Sequence, residues 1–380
     1  MNASEARPEG PESVRLCCYL ESTEIGGMEM SLSTLLGHLD DRYEITLLGV
    51  DPAVLAAVAE TRPGTALFHV PKARDKTDVR AIAAHVRSVR ALRPDVLLVS
   101  MGEMYRAPYG ILAGLLNRVP TVAVAHSGLP PARRFQEILF RQLLRRLWGL
   151  GGVSRSVCET VERALGLEPG AVTILYNGVP DTTCGGQSVS VDRSSAPESL
   201  VVGAVGRLAP EKGYDVLIQA MVELSGCRLV LLGEGPERVP LTALACQLGV
   251  EDRIQMAGWV AAPWTSRFRF DVMAVPSIIE GFGLVAVEAL LAGMPVVASR
   301  VGGLVEILRD GETGLLVEPG DAAALGHALR GLLGDPAGRS AMGRRGRDDM
   351  HQRFSPAVMA GAYDAFLGLA MAGRFRAHPG

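Results

Sequence analysis

The sequence predicts an α/β protein built from two doubly wound parallel sheets. Three observations lead there. From Val14 onward, short apolar runs alternate with longer helical segments, the pattern of consecutive βα units. The 380-residue length suits two domains of ordinary size, each able to bury a core. Between the two series of alternations, residues 180–199 read PDTTCGGQSVSVDRSSAPES, small and polar as a linker is.

Taken in order, residues 1–13 are polar and acidic, contain Pro and Gly, and lack the apolar centre of a signal peptide, so a disordered leader is expected. The first domain, 14–179, has strands expected at Val14–Leu20, Ile45–Val50, Ala66–Val70, Val96–Ser100, Thr121–His126, Gly152–Val153 and Val172–Tyr176. Helices are expected at Met28–Leu39, Asp78–Leu92 and Arg133–Trp148, and Ser154 is placed to cap another. The second domain, 200–355, has strands expected at Leu200–Val205, Arg228–Leu232, Ile254–Met256, Val272–Val275, Val296–Ala298 and Leu315–Val317. Asp321 is placed to cap a helix running toward Leu333, and residues 356–380 hold a last apolar helix, Val358 to Met371, and a tail.

Composition narrows the function. Lys and Arg number 38 against 41 Asp and Glu, so no domain-wide basic surface for nucleic acid is expected and an anionic ligand must be met locally. The six cysteines are scattered, without a C-x-x-C pair or nearby histidines, as in a reduced cytoplasmic protein without a zinc site. Leu284 to Ala298 is apolar but interrupted by Glu288 and shorter than the roughly 20 residues of a membrane span, so none is expected. Arg133 to Trp148 carries five arginines against one glutamate on an amphipathic helix. A solvated face is the favoured reading, with contact to anionic lipid or an anionic acceptor as the alternative. Gly233-Glu234-Gly235 fails as a dinucleotide fingerprint because Arg238 stands at the third glycine position.

The chain is organised around PSIIEGFGLVAVEALLAGMPVV, Pro276 to Val297. It reads as a strand end, a tight loop with Glu280, Gly281, Phe282 and Gly283, and a helix stopped by Gly293 and Pro295. A helix between two parallel strands aims its N-terminal amides at the carboxyl edge of the sheet, where an anion binds. Glu280 lies in the loop and Glu288 about five residues into the helix, roughly 7.5 Å along its axis. Carboxylates accept from vicinal hydroxyls, so the pair suits sugar hydroxyls at two ends of a diphosphate. Exposed helix and loop charges are the plainer alternative. Upstream, Gly206-Arg207-Leu208-Ala209-Pro210-Glu211-Lys212-Gly213 follows a strand and offers two cations. They can grip phosphate together with the amides of Gly283 and Leu284, or pair with Glu211 and Asp215 on a solvated turn.

Glu280-Gly-Phe-Gly-Leu-Val-Ala-Val-Glu288 resembles the paired-glutamate motif of family 4 glycosyltransferases, retaining enzymes of the GT-B fold. The basic tract Gly206–Gly213 and the loop Gly26-Gly27-Met28-Glu29 match that family in the same order. The resemblance implies two Rossmann-like domains facing a cleft and a hexosyl group moved from a UDP- or GDP-type sugar to an acceptor hydroxyl. On that basis Glu280 takes the donor sugar hydroxyls or the developing anomeric charge, and Glu288 the ribose. Phe282 and the Gly281–Gly283 backbone shape the sugar pocket, and Gly206, Arg207, Lys212 and Leu284 join the donor site. Gly26 and Gly27 face the diphosphate, and His126 faces the reacting sugar. Ser127 stands where relatives often have aspartate, while Leu98 and Ser100 replace histidines, which leaves the acceptor side open. Glu103 binds an acceptor hydroxyl or amine, or is solvated. The terminal helix is implied to cross back onto the first domain. No Asp-x-Asp triplet exists, so neither metal nor cofactor is expected. A sugar-nucleotide epimerase and a non-catalytic sugar-nucleotide-binding subunit are the alternatives; the acceptor and the oligomeric state stay open.

Overall fold

The computed structural model describes residues 13–74, 78–102, 107–127, 140–181, 200–260, 263–264 and 270–373. Its contacts divide the chain into two units. The first comprises Met1–Val153, Cys158–Leu175 and Met359–Gly380, the second Ser154–Val157 and Tyr176–Val358. Most of the leader (1–12) and of the linker (182–199) lie outside the described residues.

In the first unit seven parallel strands run in the order β3-β2-β1-β4-β5-β6-β7. They are β1 (Val14–Leu20), β2 (Tyr43–Gly49), β3 (Ala66–His69), β4 (Val96–Met101), β5 (Thr121–Ala125), β6 (Gly149–Gly152) and β7 (Thr173–Ile174). Every residue of β4 and β5 is buried, as expected of central strands covered on both faces. Helices α1 (Gly27–Leu36), α2 (Pro52–Ala59), α3 (Val79–Leu92), α4 (Pro108–Leu116) and α5 (Arg155–Leu165) complete the crossovers. Asp78 caps α3 by accepting from Ala81 N–H at 3.1 Å. Ser154 Oγ accepts from Val157 N–H at 3.2 Å, the cap that the sequence places there.

In the second unit six parallel strands run β10-β9-β8-β11-β12-β13. These are β8 (Leu200–Val205), β9 (Cys227–Leu232), β10 (Ile254–Gly258), β11 (Val272–Val275), β12 (Val296–Ser299) and β13 (Gly314–Val317). The helices are α6 (Tyr214–Ala220), α7 (Arg238–Gln247), α8 (Leu284–Leu291), α9 (Leu304–Ile307), α10 (Ala322–Gly334) and α11 (Pro336–Arg353); α12 (Pro356–Met371) follows and belongs to the first unit from Met359 onward. Leu217, Ile218, Leu229, Leu231, Val272 and Leu329 form the centre of its core, all fully buried. Asp321 caps α10, accepting from Ala324 N–H at 2.8 Å.

Some elements depart from the sequence reading. Strand β6 lies earlier than Gly152–Val153, because glycines give no apolar signal. Gly149 and Gly151 are small so that Phe366 and Leu175 can close on the strand; an added Cβ would stand 3.0 and 2.6 Å from those side chains. Helix α11 was not read from its polar, arginine-rich sequence. It buries Met342, Gly343, Gly346 and Met350 on one face, with Gly346 close against Leu290, and Asp349 on the same face is buried between Arg309 at 2.6 Å and Arg353 at 2.7 Å. Whereas Leu284–Ala298 is the longest apolar run in the sequence reading, the run Pro336–Met371 is long and apolar enough, by length and composition, to cross a membrane. It is broken at Phe354–Ser355. In α12 Met359, Tyr363, Phe366, Leu367 and Ala370 are buried, and Tyr43 Oη donates to Asp364 Oδ1 at 2.7 Å. The apolar face of this helix is thus used within the first unit from Met359 onward.

Candidate active site

In the second sheet the strand order reverses between β8 and β11, and an open α/β sheet binds ligands at the carboxyl ends of such a pair. The basic loop follows β8 and the glutamate loop follows β11. They are laced together: Glu211 O accepts from Ile278 N–H at 2.8 Å and from Ile279 N–H at 3.2 Å. Gly213, with φ 63°, allows this closeness, because a Cβ there would stand 2.1 Å from Pro276 O.

The lacing brings Lys212 Nζ to 2.8 Å from Glu280 Oε2, which also accepts from Ser277 Oγ at 3.0 Å. Lys212 therefore pairs with the second motif, not with Glu211 or Asp215. Arg207 does take the local partner, Glu211 Oε1 at 2.7 Å, with its side chain 64% exposed. Buried Tyr214 lies beneath this loop, its hydroxyl 2.7 Å from where a Cβ on Gly206 would be. Burial pushes its phenol well up, and the Glu280 charge adds to the rise.

Gly283 caps α8 at φ 110°, where a side chain would be strained and would meet Leu304 at 2.7 Å. The first turn of α8 holds no acidic residue, so its amides and dipole are not neutralised from within the helix. Glu288, one turn on, accepts from the Trp264 indole N–H at 3.0 Å. Burial raises the Glu288 carboxyl above the ordinary range, and the indole bond pulls it part of the way back. Trp264 was not singled out in the sequence, since it lies outside every motif.

Phe282 corrects an expectation. Its ring is 3% exposed and faces Tyr176 and Phe354, at centroid distances of 6.2 and 5.4 Å, instead of lining a sugar pocket. An aromatic ring gains more from that cluster than from an edge exposed to water. The neighbouring Gly281 O accepts from Ser154 Oγ at 2.7 Å, so both sides of this turn are anchored.

In the first unit, Gly26 N–H is donated to the Glu29 carboxylate at 2.9 Å, and Glu29 is buried. The amide offered to a diphosphate is thus already used by a helix-capping side chain three residues on. Gly26 has φ −135°, an ordinary extended value, and Gly27 opens α1. His126 ends β5, donating its backbone N–H to Met101 O at 2.9 Å. Burial pushes its imidazole down to about 4, so it is neutral at pH 7. Ser127 follows at the same strand end, half-buried. Glu103 lies outside the described residues, as do residues 133–139 of the arginine-rich segment. Arg141 and Arg145 are not a solvated face: Leu165 O accepts from Arg141 Nε at 2.9 Å and from Arg145 at 2.7 Å. They close the C-terminus of α5, where exposed carbonyls and the dipole favour cations.

Two family models match the chain. "Glycosyltransferase Family 4" covers residues 25–183 and "Glycosyl transferases group 1" covers 190–349. The lipopolysaccharide core biosynthesis glycosyltransferase LpsE of Rhizobium meliloti is 36% identical over 181 residues, 47% of this chain and 53% of that protein. The 2-deoxystreptamine glucosyltransferase of Streptomyces kanamyceticus is 28% identical over 319 residues, 76% of this chain and 82% of that protein. The chain thus spans about half the length of the first relative and most of the second. Anabaena HepE, crystallised with UDP and glucose, has the same fold, with a TM-score of 0.79 and 21% identity over 93% of this chain and 99% of that one. With both halves matched and both sheets parallel and doubly wound, the chain belongs to glycosyltransferase family 4 and has the GT-B fold.

Proposed function

We propose that this chain is a cytoplasmic, retaining glycosyltransferase that moves a hexosyl group from a UDP- or GDP-type sugar to an acceptor hydroxyl without a metal. One observation carries the reading: Lys212 and Glu280 meet beside the N-terminus of α8, at the carboxyl edge where the strand order reverses. That arrangement sets a cation, free amides and a sugar-hydroxyl acceptor within one turn of chain. An ammonium carries three donors, so Lys212 can keep Glu280 and still meet a phosphate oxygen. Arg207 must leave Glu211. An exposed ion pair of that kind contributes about 0–1 kcal/mol, whereas a well-placed donor to developing phosphate charge contributes about 2.7–4 kcal/mol, so the exchange favours the ligand.

Glu288 is assigned to the ribose hydroxyls and Glu280 to the donor sugar. Neutral His126 is assigned a hydrogen bond to a sugar hydroxyl, and Gly27 takes the role that Glu29 denies to Gly26. In the proposed step the acceptor oxygen bonds to the anomeric carbon on the face from which the diphosphate oxygen leaves. The acceptor proton passes to that departing oxygen, and the growing charge is met by Lys212, Arg207 and the α8 amides. UDP-glucose is the first donor to try, because HepE was crystallised with it. An aminocyclitol hydroxyl is the first acceptor to try, because the relative matched over most of its length is named for 2-deoxystreptamine.

The test is calorimetric titration with UDP and GDP, followed by product analysis with UDP-glucose and 2-deoxystreptamine. Nucleotide binding with an α-linked product supports the proposal. Failure of both nucleotides to bind, or a β-linked product, contradicts it. Consumption of the donor without any acceptor would support an epimerase instead.

A further inference from the structure

The opposite edge of the first sheet, at the amino ends of its strands, holds a concavity of about 1080 Å³ that the proposed reaction does not use. Arg15 at the start of β1, Asp95 before β4 and Pro120 before β5 contribute to its wall, together with the C-terminal ends of α3 and α4. Asn117 fastens those two helix ends: its Nδ2 donates to Val86 O and to Ala113 O, both at 2.9 Å. The two helix ends are thus tied together, and the side chains on them share one frame.

Four arginines line this hollow. Arg15 is matched by Asp95, through contacts of 2.7 and 3.2 Å. For Arg90, Arg93 and Arg118 no hydrogen bond or ion pair to their side chains is found among the described residues. The C-termini of α3 and α4 each bring about half a negative charge, which leaves a local excess of about two positive charges. The chain as a whole carries −3, so this excess runs against the overall balance.

The backbone supplies a second, independent observation. Arg93 and Arg118 have φ of 47° and 58°, the left-handed region where Gly or Asn usually follows a helix. Among the described residues only one other non-glycine residue, Ala107, has positive φ. The dipole of α3 does not require Arg93, because Arg90 already stands in its last turn. Two strained positions thus each hold a cation aligned on one hollow, a pattern found at ligand sites.

We propose that this concavity is an anion site that takes a phosphoryl group, carried by a phosphorylated solute or by a lipid headgroup. Guanidinium forks match phosphate oxygens in pairs, and three of them are held around one space. The site lies on the opposite sheet edge from His126 and Gly26, so it is separate from the residues assigned to transfer.

Full-length protein is titrated calorimetrically with pyrophosphate in 50 mM NaCl, as wild type and as R90Q/R93G/R118G. Glycine suits both left-handed positions, so the triple variant should melt at or above the wild-type temperature. R90Q alone, which leaves both caps intact, is the second variant. The donor site proposed above also takes a diphosphate, so wild type should show two classes of pyrophosphate site; the triple variant lacks one of them, Lys212→Ala retains that one, and R90Q binds it at least threefold more weakly, while 500 mM NaCl should abolish it. Sedimentation with phosphatidylglycerol/phosphatidylcholine vesicles separates the sources: retention lost in the triple variant assigns the group to a lipid, and pyrophosphate binding without retention assigns it to a solute. Identical isotherms and identical sedimentation for wild type and triple variant would overturn the proposal.

Discussion

Lys212 Nζ lies 2.8 Å from Glu280 Oε2, joining two motifs 68 residues apart in the sequence. The pair is mostly buried, with 27% and 13% of the side chains exposed. Truncating the lysine would leave Glu280 with only the Ser277 hydroxyl among the hydrogen bonds found for its carboxylate. Because a half-buried charge without its partner is costly, the two residues are best regarded as one functional group.

Arg207→Ala should spare the fold and impair transfer. Its side chain is exposed and makes one surface ion pair, so the melting temperature should move by no more than a degree or two. Loss of a phosphate contact should lower kcat/KM about 100-fold or more. Thermal melts and steady-state rates on the same preparation check both parts.

Glu288→Gln should separate stability from binding. The raised carboxyl means that the folded state holds the proton more tightly than the unfolded state does. Burying the carboxylate is therefore a cost at neutral pH, relieved as pH falls through the raised value. Gln removes that cost while keeping an acceptor for Trp264, so the variant should melt higher than wild type at pH 7.5. Its UDP affinity should fall, and the stability gain should vanish at acidic pH. Melting curves across pH, with UDP titrations at pH 7.5, test this.

His85 gives a stability prediction away from the site. It is fully buried beneath Tyr19 and Tyr109, with Nε2 3.0 Å from Pro71 O. Burial pushes its imidazole down to about 4. The unfolded state binds the proton first, so stability is complete above about pH 6.5 and declines as pH falls toward 4. The loss is on the order of 3 kcal/mol at the bottom of that window. Urea melts of wild type and His85→Gln at pH 7.5 and 4.5 should show a smaller acid loss in the variant.

Gly283→Ala should be destabilising out of proportion to one methyl group. A residue at φ 110° pays a left-handed penalty of about 1–2 kcal/mol, and the new Cβ would overlap Leu304. Denaturant melts should show a loss of about 2 kcal/mol or more.

Much of the fold was legible because parallel strands covered on both faces are continuous apolar runs. Val14–Leu20, Leu200–Val205 and Val272–Val275 appear at the expected bounds. What escaped depends on partners remote in sequence. Strand β6 is mostly glycine and declares itself only beside Phe366 and Leu175. Helix α11 gives little apolar signal because two of its buried positions are glycines, Gly343 and Gly346, that declare themselves only beside Gly293 and Leu290, and a third is Asp349 paired with arginines. At the site, the two loops and the helix start were readable from glycine, charge and strand placement. The direction of Phe282, the capture of Gly26 N–H by Glu29 and the arrival of Trp264 at Glu288 were not, because each is a choice between partners that only packing decides.

Chelation addresses the metal-free scheme. Turnover with UDP-glucose should be unchanged by millimolar EDTA and gain nothing from added manganese. Strict dependence on manganese would require a metal-held diphosphate in place of the Arg207–Lys212 grip.

The most direct measurement is UDP affinity of Lys212→Ala by calorimetry, with Lys212→Arg alongside. If Lys212 and the α8 amides hold the diphosphate, Lys212→Ala should bind UDP at least 100-fold more weakly, a loss of about 2.7 kcal/mol, and Lys212→Arg should recover part of it. Wild-type UDP affinity in a folded Lys212→Ala protein would contradict that placement of the donor.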